Sequence, residues 1–161
     1  MTPTTLLAID PGNQASAYCL VDVTTRRPLD FAKVPNQELR RLLLKESYGP
    51  SVIEMVASYG MAVGADVFET CVWIGRFAEC IIRGSGMEPD LVKRHPVKVH
   101  LCHSAKANDS NIRQALVDRF ALGQPNHGKG TKADPGWFFG FAADVWAAYA
   151  LAVYAADQAE A

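Results

Sequence analysis

The sequence predicts an α/β fold in which helices flank one mixed five-stranded sheet. Two observations lead to this class. Three strand-like segments joined by short turns begin the chain, as in an antiparallel meander, and strand-like and helix-like segments then alternate, which requires parallel crossover connections. The predicted order of elements is β-β-β-α-β-α-β-α-α. Because the 161 residues contain no linker-like stretch, we expect a single domain over residues 1–161.

Five segments are predicted as strands. Residues 5–9 are a compact apolar run that ends in Asp-Pro-Gly, and residues 15–23 and 28–34 complete the meander. Residues 51–57, SVIEMVA, form a strand of the buried type that contains one carboxylate. Residues 96–102, PVKVHLC, are predicted as the fifth strand.

Four segments are predicted as helices. Asn36 opens an amphipathic helix, QELRRLLLKES, with leucines along one side. A long helix over residues 65–83 ends at Gly-Ser-Gly. The third helix, NIRQALVDRFA, is capped by Asp109 or Ser110, and an alanine-rich helix over residues 141–158 follows it.

The composition predicts a cytoplasmic protein, in a bacterium or a phage-infected host cell. No apolar run reaches the roughly 18 to 20 residues of a membrane span, so no membrane partner is expected. Residues 1–5 have no basic region and no long apolar region, so we expect no signal peptide. The cysteines form no CxxC pair and lie in apolar contexts, which indicates a reducing compartment without disulfides.

The distribution of charge indicates a nucleic-acid partner, although the net charge is only −1. Residues 91–132 contain eight basic residues against Asp109 and Asp118, and all four histidines lie in the same stretch. A local excess of positive charge can neutralise phosphates even when the whole chain is balanced. A solvated basic face without function is the alternative.

Three acidic residues lie where carboxylates are costly. Asp10 ends the first strand, Glu54 interrupts the buried strand, and Asp144 lies near the start of the apolar last helix. Each also has an ordinary structural explanation: a turn aspartate in Asp-Pro-Gly, a strand-end glutamate that reaches solvent or an arginine, and an acid near a helix N-terminus.

Together the three acids predict a metal site. The first strand and the next parallel strand commonly lie side by side in this topology, so Asp10 and Glu54 should converge near one edge of the sheet, with the last helix delivering Asp144. Oxygen donors without cysteine or imidazole suit Mg²⁺ or Mn²⁺. Two such ions can activate water and stabilise the leaving oxygen of a phosphodiester.

Four motifs resemble one known family. LLAIDPGNQASAYCLVD resembles the first hairpin of the RuvC-type Holliday-junction resolvases, members of the RNase H-like superfamily. VIEMV resembles the second acidic strand of that family, AKANDSNIRQALVDRF its lysine-containing turn and helix, and ADVWAAYALAV its last acidic helix. The SNIRQALVDRF stretch and the GTK…PG loop are most similar to the phage- or prophage-encoded branch.

The resemblance implies a homodimeric, structure-selective endonuclease that cuts four-way or other branched DNA with Mg²⁺ or Mn²⁺. By motif position, Asp10, Glu54 and Asp144 would be the catalytic acids that bind the metal, with Asp10 bridging two ions. A two-fold dimer would match a two-fold junction.

The sequence departs from the family pattern at two positions. Phe141 stands where bacterial relatives often have a further acid or histidine, so the metal site would hold three carboxylates or borrow Asp134 from the preceding loop. Ala57 stands where the family often has a phenylalanine that probes the junction, and Tyr59 is the nearest aromatic that could replace it.

Basic residues beside the Gly/Pro/Lys-rich loop over residues 124–140 are candidates for phosphate contacts, and solvated lysines are the alternative for any one of them. The candidates are Lys106, Arg113, Lys129 and Lys132. On a strand, His100 and Cys102 would face away from His103, so no zinc site is expected. The loop has no GxxxxGK[ST] pattern, so nucleoside triphosphate binding is not expected.

Two other functions stay open at this point. The first is a less selective nuclease that acts on flaps, forks or RNA-DNA hybrids with the same site, which Ala57 suggests. The second is a catalytically silent protein that binds branched DNA as a scaffold, against which the retention of all three acids argues.

Overall fold

The computed structural model describes residues 4–161 and contains one five-stranded sheet. The strands are β1 (Thr5–Asp10), β2 (Ala15–Asp22), β3 (Pro28–Pro35), β4 (Ser51–Met55) and β5 (Asp90–Lys93). Their spatial order is β3-β2-β1-β4-β5. The first three pair antiparallel, whereas β4 pairs parallel with β1 and β5 parallel with β4. The predicted mixed sheet of five strands is therefore confirmed.

Five helices cover the two faces of this sheet. They are α1 (Asn36–Lys45), α2 (Ala65–Ser85), α3 (Arg94–Cys102), α4 (Asp109–Phe120) and α5 (Val145–Glu160). The helices α1 and α2 pack on one face over a core that includes Ile9, Ile53 and Phe77. The helices α3, α4 and α5 share the core of the other face with Ala8 and Ala17. None of the helices in the described part of the chain is long and apolar enough to cross a bilayer.

The prediction of a fifth strand over residues 96–102 is wrong, because these residues belong to α3. Apolar residues at alternate positions suited a strand, but only Val97 is buried, while Val99 is 42% exposed. Pro96 lies in the first turn of the helix, where a missing N–H costs nothing. The actual β5, DLVK, is short and mostly exposed and has only two apolar residues, so it lacks the apolar run by which the other strands were recognised. The element order therefore gains one helix.

Three predicted boundaries also move. The strand β4 ends at Met55, not at residue 57. Neither Asp109 nor Ser110 caps α4; Asn108 does, in a reciprocal pair of hydrogen bonds with Asn111. The last helix begins at Val145 rather than at residue 141.

A buried polar network fixes the turn that follows β1. The Ser16 hydroxyl donates to Asn36 Oδ1 (2.6 Å) and accepts from the Gly12 amide, and the Asn36 amide group donates to the Gly12 carbonyl. Gly12 is required here, since a Cβ would lie 2.3 Å from the Ala15 carbonyl oxygen. The network ties the turn to the start of α1 and so holds the end of β1, where Asp10 lies.

Candidate active site

A row of paired residues crosses the sheet at the end of β1. Asp10 pairs with Ala17 on β2, and Ala17 pairs with Lys33 on β3. On the other side, the parallel register of Ile9 with Ile53 places Glu54 beside Asp10. Residues that pair directly project from the same face of a sheet. The side chains of Lys33, Asp10 and Glu54 therefore share the face that α5 covers.

Asp144 reaches this row from the start of α5. It occupies the N-cap position of the helix, but its side chain makes no capping hydrogen bond. Instead, its Oδ2 accepts from the Lys33 ammonium at 2.5 Å. The preceding residue, Ala143, has a left-handed backbone (φ 45°), which is uncommon for a residue with a side chain. The turn before α5 thus directs Asp144 to the sheet and not to its own helix N-terminus.

Asp10 and Asp144 line one cavity of about 210 Å³ with residues of α3, α4 and α5. The cavity also contains Arg94 at the first position of α3, and Asp109 and Arg113 of α4. Its apolar lining comes from Ile112, Ala147 and Trp146. The cavity therefore combines carboxylates and guanidinium groups over a partly apolar surface.

The surroundings of Asp10 strongly disfavour its ionised form. Burial, together with the negative charges of Glu54 and then Asp144, raises the pKa of Asp10 to about 8, against the opposing charge of Arg94. Asp10 consequently retains its proton at neutral pH in the absence of another cation. A divalent cation would remove this cause of protonation, since it favours the ionised form of every carboxylate around it.

Two basic side chains already neutralise the other acids. Lys33 pairs with Asp144, and Arg94 lies 3.6 Å from Glu54 while it also contacts Asp109 closely. Within residues 4–161, no three histidine, cysteine, aspartate or glutamate side chains are placed so that they could share one ion as they stand. The donor set, oxygen atoms only, suits Mg²⁺ or Mn²⁺. The residues thus fit such ions by chemistry, and binding requires the paired cations to move.

Arg113 is the predicted DNA-contacting residue that lies in this cavity. Its guanidinium carbon lies over the Trp146 ring, 5.1 Å from the ring centroid. Stacking on the indole holds the guanidinium beside the acids without neutralising them. Arg113 therefore presents positive charge at the mouth of the cavity.

Solved structures with the same architecture include two of Thermus thermophilus RuvC. The first matches with a TM-score of 0.71 and 14% sequence identity over 98% of this chain and 96% of that one. The second, RuvC in complex with a Holliday junction substrate, also gives 0.71 and 14%, over 97% and 94%. This chain has a RuvC-like, RNase H-like fold. No protein-family model matches the sequence, and no curated protein matches it either.

The other residues predicted to contact DNA, and the proposed fourth acid, lie outside the cavity. Tyr59 is 69% exposed in the segment after β4. Lys106 belongs to a groove between α3 and α4. Lys129 is half-buried and Lys132 is exposed, both in the segment before α5. Asp134, the proposed fourth acid, is exposed in that segment, and its backbone N–H donates to the Thr131 hydroxyl.

The segment over residues 124–140, expected to be a flexible loop, is a folded unit. Phe138 is fully buried, and the Trp137 indole N–H donates to the Tyr149 hydroxyl of α5 at 3.0 Å. Gly130 and Pro135 form an isolated β-bridge. Phe141, at the position of the missing acid, is buried and packs edge-on against Phe31 of β3. The position is therefore part of the core and unavailable to a metal.

Three charged residues of the site were not among the predicted ones: Lys33, Arg94 and Asp109. For Lys33 the sequence does carry a signal, because register with β2 and β1 follows once the hairpins are aligned. Arg94 could not be found, since the helix that begins with it was predicted as a strand. Asp109 was considered only as a helix cap, whereas its side chain contacts Arg94.

The expectation about His100, Cys102 and His103 rested on the wrong secondary structure. On α3, His100 Nε2 lies 2.7 Å from Asp157 Oδ2, and His103 ends the helix in a left-handed conformation. His100 is therefore engaged in the hydrogen-bond network of Asp157, near the end of α5.

Proposed function

We propose that the protein is a structure-selective DNA endonuclease that uses divalent metal ions to resolve Holliday junctions and other branched DNA. One observation carries this proposal: Asp10 and Glu54 lie side by side on neighbouring strands, and Asp144 enters the same site from α5. Carboxylates that converge in this way can hold two metal ions for phosphodiester hydrolysis.

Asp10, Glu54 and Asp144 would hold two Mg²⁺ or Mn²⁺ ions. The chemistry that such ions supply is activation of water and stabilisation of the leaving 3′ oxygen. In the reaction, the water oxygen bonds to phosphorus and the bond to the 3′ oxygen breaks. The attacking water loses a proton to solvent and the leaving 3′ oxygen takes one up from solvent, so the products are a 5′ phosphate and a 3′ hydroxyl. The three carboxylates contribute by fixing the ions at the surface of the sheet.

The basic residues would bind the DNA backbone. Arg94 and Arg113 lie at the cavity itself, where they can contact phosphates next to the scissile bond. Lys106, Lys129 and Lys132 lie farther away and would contact the arms of a branched substrate. Tyr59, exposed and with a left-handed backbone (φ 49°), would take the place of the aromatic residue missing at Ala57.

We propose that two copies of the chain form a homodimer through the exposed face of α2. Phe68 and Val72 are one turn apart and 62% and 53% exposed. Gly75 follows on the same face, and Leu44 of α1, 50% exposed, lies across a groove from Val72. Exposed apolar side chains in a continuous stripe commonly mark an interface. A second copy of the chain would cover them and bring two sites to one junction.

Two further inferences concern the chain as a whole. We infer that residues 1–161 form one nuclease domain, because elements from Thr5 to Glu160 build one sheet and its covering helices; residues 1–3 lie outside the described part. We also infer a place in the phage- or prophage-encoded branch, on the motifs SNIRQALVDRF and GTK…PG.

A less selective nuclease for flaps, forks or RNA-DNA hybrids is the second candidate. The observation that favours it is Ala57, which lies beyond the end of β4 and offers only a methyl group to probe a junction. A silent scaffold for branched DNA is the third, favoured by the ion pairs that engage Glu54 and Asp144.

Cleavage of labelled DNA tests the three candidates together. A four-way junction, a flap, an RNA-DNA hybrid and a linear duplex would be incubated with Mg²⁺, Mn²⁺ or EDTA. Asp10→Asn would be compared with Asp118→Asn, a control on the exposed side of α4. Junction cleavage that needs metal and Asp10 but not Asp118 supports the resolvase. Equal cutting of flaps or hybrids favours the second candidate, and no cutting by folded protein favours the scaffold.

A further inference from the structure

Lys33 is a basic residue built into the row of acids. It lies on β3, directly across from Ala17, which in turn pairs with Asp10. The short side chain of Ala17 separates the two, and the Lys33 ammonium extends to Asp144 on α5. The side chain thus connects the strand farthest from Glu54 with the last acid of the site.

The ion pair between Lys33 and Asp144 is short but exposed. The Nζ–Oδ2 distance is 2.5 Å, and the two side chains are 43% and 50% exposed. Exposed pairs of this kind contribute little to the stability of a protein. Folding alone therefore gives no strong reason for a lysine at a carboxylate that is proposed to bind metal.

We propose that Lys33 is a catalytic residue of the nuclease, one that neutralises Asp144 before a divalent ion binds and contacts the scissile phosphate afterwards. The inference rests on the proposed function. A divalent ion at Asp144 would compete for the carboxylate oxygen and repel the ammonium. Because the lysine stem is flexible and its Cα is held by the sheet, the released ammonium stays within reach of the site.

The substrate supplies the new partner for the ammonium. A phosphodiester brings one negative charge to a site in which the ions have taken over the carboxylates, and more negative charge develops on the phosphate oxygens and the leaving oxygen during the reaction. A positive group already positioned there stabilises that charge without reorganisation. Lys33 then pairs with the Asp144 carboxylate before the ion binds and with the phosphate of the substrate afterwards.

Arg94 is less suited to such an exchange. It divides its guanidinium between Glu54, at 3.6 Å, and Asp109, which is outside the proposed set of metal ligands. If Glu54 bound an ion, Arg94 would lose Glu54 as a partner but keep its contact with Asp109. Lys33, in contrast, has Asp144 as its ion-pair partner within the described residues, and loses it entirely when an ion binds there.

Removal of the Lys33 ammonium should strengthen metal binding and slow catalysis. We would compare Lys33→Met with the wild type and with Lys45→Met, an exposed lysine of α1 on the other side of the sheet. In calorimetric Mn²⁺ titrations without DNA, Lys33→Met should bind the ion about two- to five-fold more tightly, because it has no competing ammonium. At saturating Mn²⁺, it should cleave the junction about 100-fold more slowly. Lys45→Met should match the wild type in both.

Each outcome decides the proposal. Tighter Mn²⁺ binding with slower cleavage supports it, whereas a merely structural lysine would weaken both. Unchanged or weaker Mn²⁺ binding, or cleavage at the wild-type rate, overturns the role of Lys33 while the nuclease stands. A wild-type protein that binds no Mn²⁺ overturns the proposed function and this inference together. Lys33→Gln provides a second variant with the same expected pattern if the methionine variant does not fold.

Discussion

Arg26, in the turn between β2 and β3, donates to the Asp157 carboxylate near the end of α5 at 2.9 Å. Arg119 and His100 contact the same carboxylate, each at 2.7 Å. The Asp157 side chain is only 12% exposed. This largely buried acid thus joins the β2–β3 turn, α3 and α4 to the helix whose other end carries Asp144. The site is therefore positioned at both ends of α5.

Asp157→Asn should destabilise the protein by about 3 kcal/mol at pH 7, because it removes the carboxylate that pairs with the buried guanidinium of Arg26 and with the partly exposed guanidinium of Arg119. Burial alone would raise the pKa of Asp157, but hydrogen bonds from Arg119, His100 and Arg26 hold this pKa well below its usual range. The stability that Asp157 supplies is therefore present above about pH 4 and is lost as the pH falls further. Urea unfolding at pH 7 and pH 3 measures this.

The exposed Asp118 provides the control for this variant, since it accepts a hydrogen bond from Gln114 that the Oδ1 of an asparagine can accept as well. Its unfolding midpoint should stay near that of the wild type at both pH values. If Asp157→Asn were as stable as Asp118→Asn at pH 7, the network would have no role in positioning α5.

Asp10→Asn should make the metal-free protein more stable at pH 8, by about 2–4 kcal/mol. The pKa of Asp10 is raised to about 8, so its ionisation opposes folding. The contribution of Asp10 to folding stability is therefore fully present below about pH 4 and is lost as the pH rises toward 8. Thermal unfolding in EDTA should show a difference that grows from pH 5 to pH 8.

Asp10→Asn should also differ from the wild type in its response to metal. Mn²⁺ should raise the melting temperature of the wild type, because a ligand that binds only the folded state stabilises it. The rise should be absent or much smaller in Asp10→Asn. An equal rise in both proteins would show that the ion binds elsewhere.

The convergence of Asp10 and Glu54 could be predicted because it depends on the parallel pairing of β1 with β4, and apolar runs mark both strands in the sequence. The fifth strand could not be predicted, since β5 has only four residues and is mostly exposed. Residues 96–102 misled, because their apolar residues alternate as in a strand although they belong to α3. Burial decides between the two readings, as Val97 is buried and Val99 is not. Burial is a property of the whole fold.

The charges around the acids were harder to foresee. Which lysine lies beside Asp144 depends on the pairing register of three strands and on the direction of a turn with a left-handed alanine. The contact between Arg94 and Asp109 depends on how two helices pack. Short-range sequence patterns carry neither relationship, so the sequence predicted candidate metal ligands and missed their counter-charges.

Gly128→Ala should destabilise the segment before α5. Gly128 has φ +81°, and a Cβ would lie 2.6 Å from the Ala121 Cβ and 2.8 Å from the Phe138 ring. Because the neighbours are a core methyl and a buried ring, strain and overpacking would cost about 2–3 kcal/mol. Limited trypsin digestion should cut the variant at Lys129 or Lys132 much faster than the wild type.

Gly123→Ala is the matched control, since Gly123 also has a positive φ (+79°) but no atom within 4 Å of an added Cβ. It should show backbone strain alone and a smaller effect. Equally rapid cleavage of the wild-type protein at Lys129 would indicate a mobile loop in place of the folded unit described above.

Arg113→Gln should weaken the binding of branched DNA and reduce its dependence on salt. One phosphate contact fewer lowers the slope of log affinity against log salt by about 0.9. Filter binding in Ca²⁺ or EDTA over a range of NaCl concentrations measures the slope. Arg83→Gln, on the opposite face of the sheet, is the control and should keep the wild-type slope. A slope that Arg113→Gln leaves unchanged would remove Arg113 from the DNA contacts.

Phe68→Glu should convert the proposed dimer to a monomer. Phe68 is 62% exposed on α2, beside Val72, so an isolated chain would leave both in water. A carboxylate at the centre of an apolar interface loses its solvation without gaining a partner, which opposes association. Light scattering coupled to size-exclusion chromatography should show half the wild-type mass, with an unchanged far-UV spectrum because the position is exposed. Leu122→Glu, at a 78% exposed position beyond the end of α4, should keep the wild-type mass. A wild-type monomer, or a dimer that persists in Phe68→Glu, would require another arrangement for paired cuts.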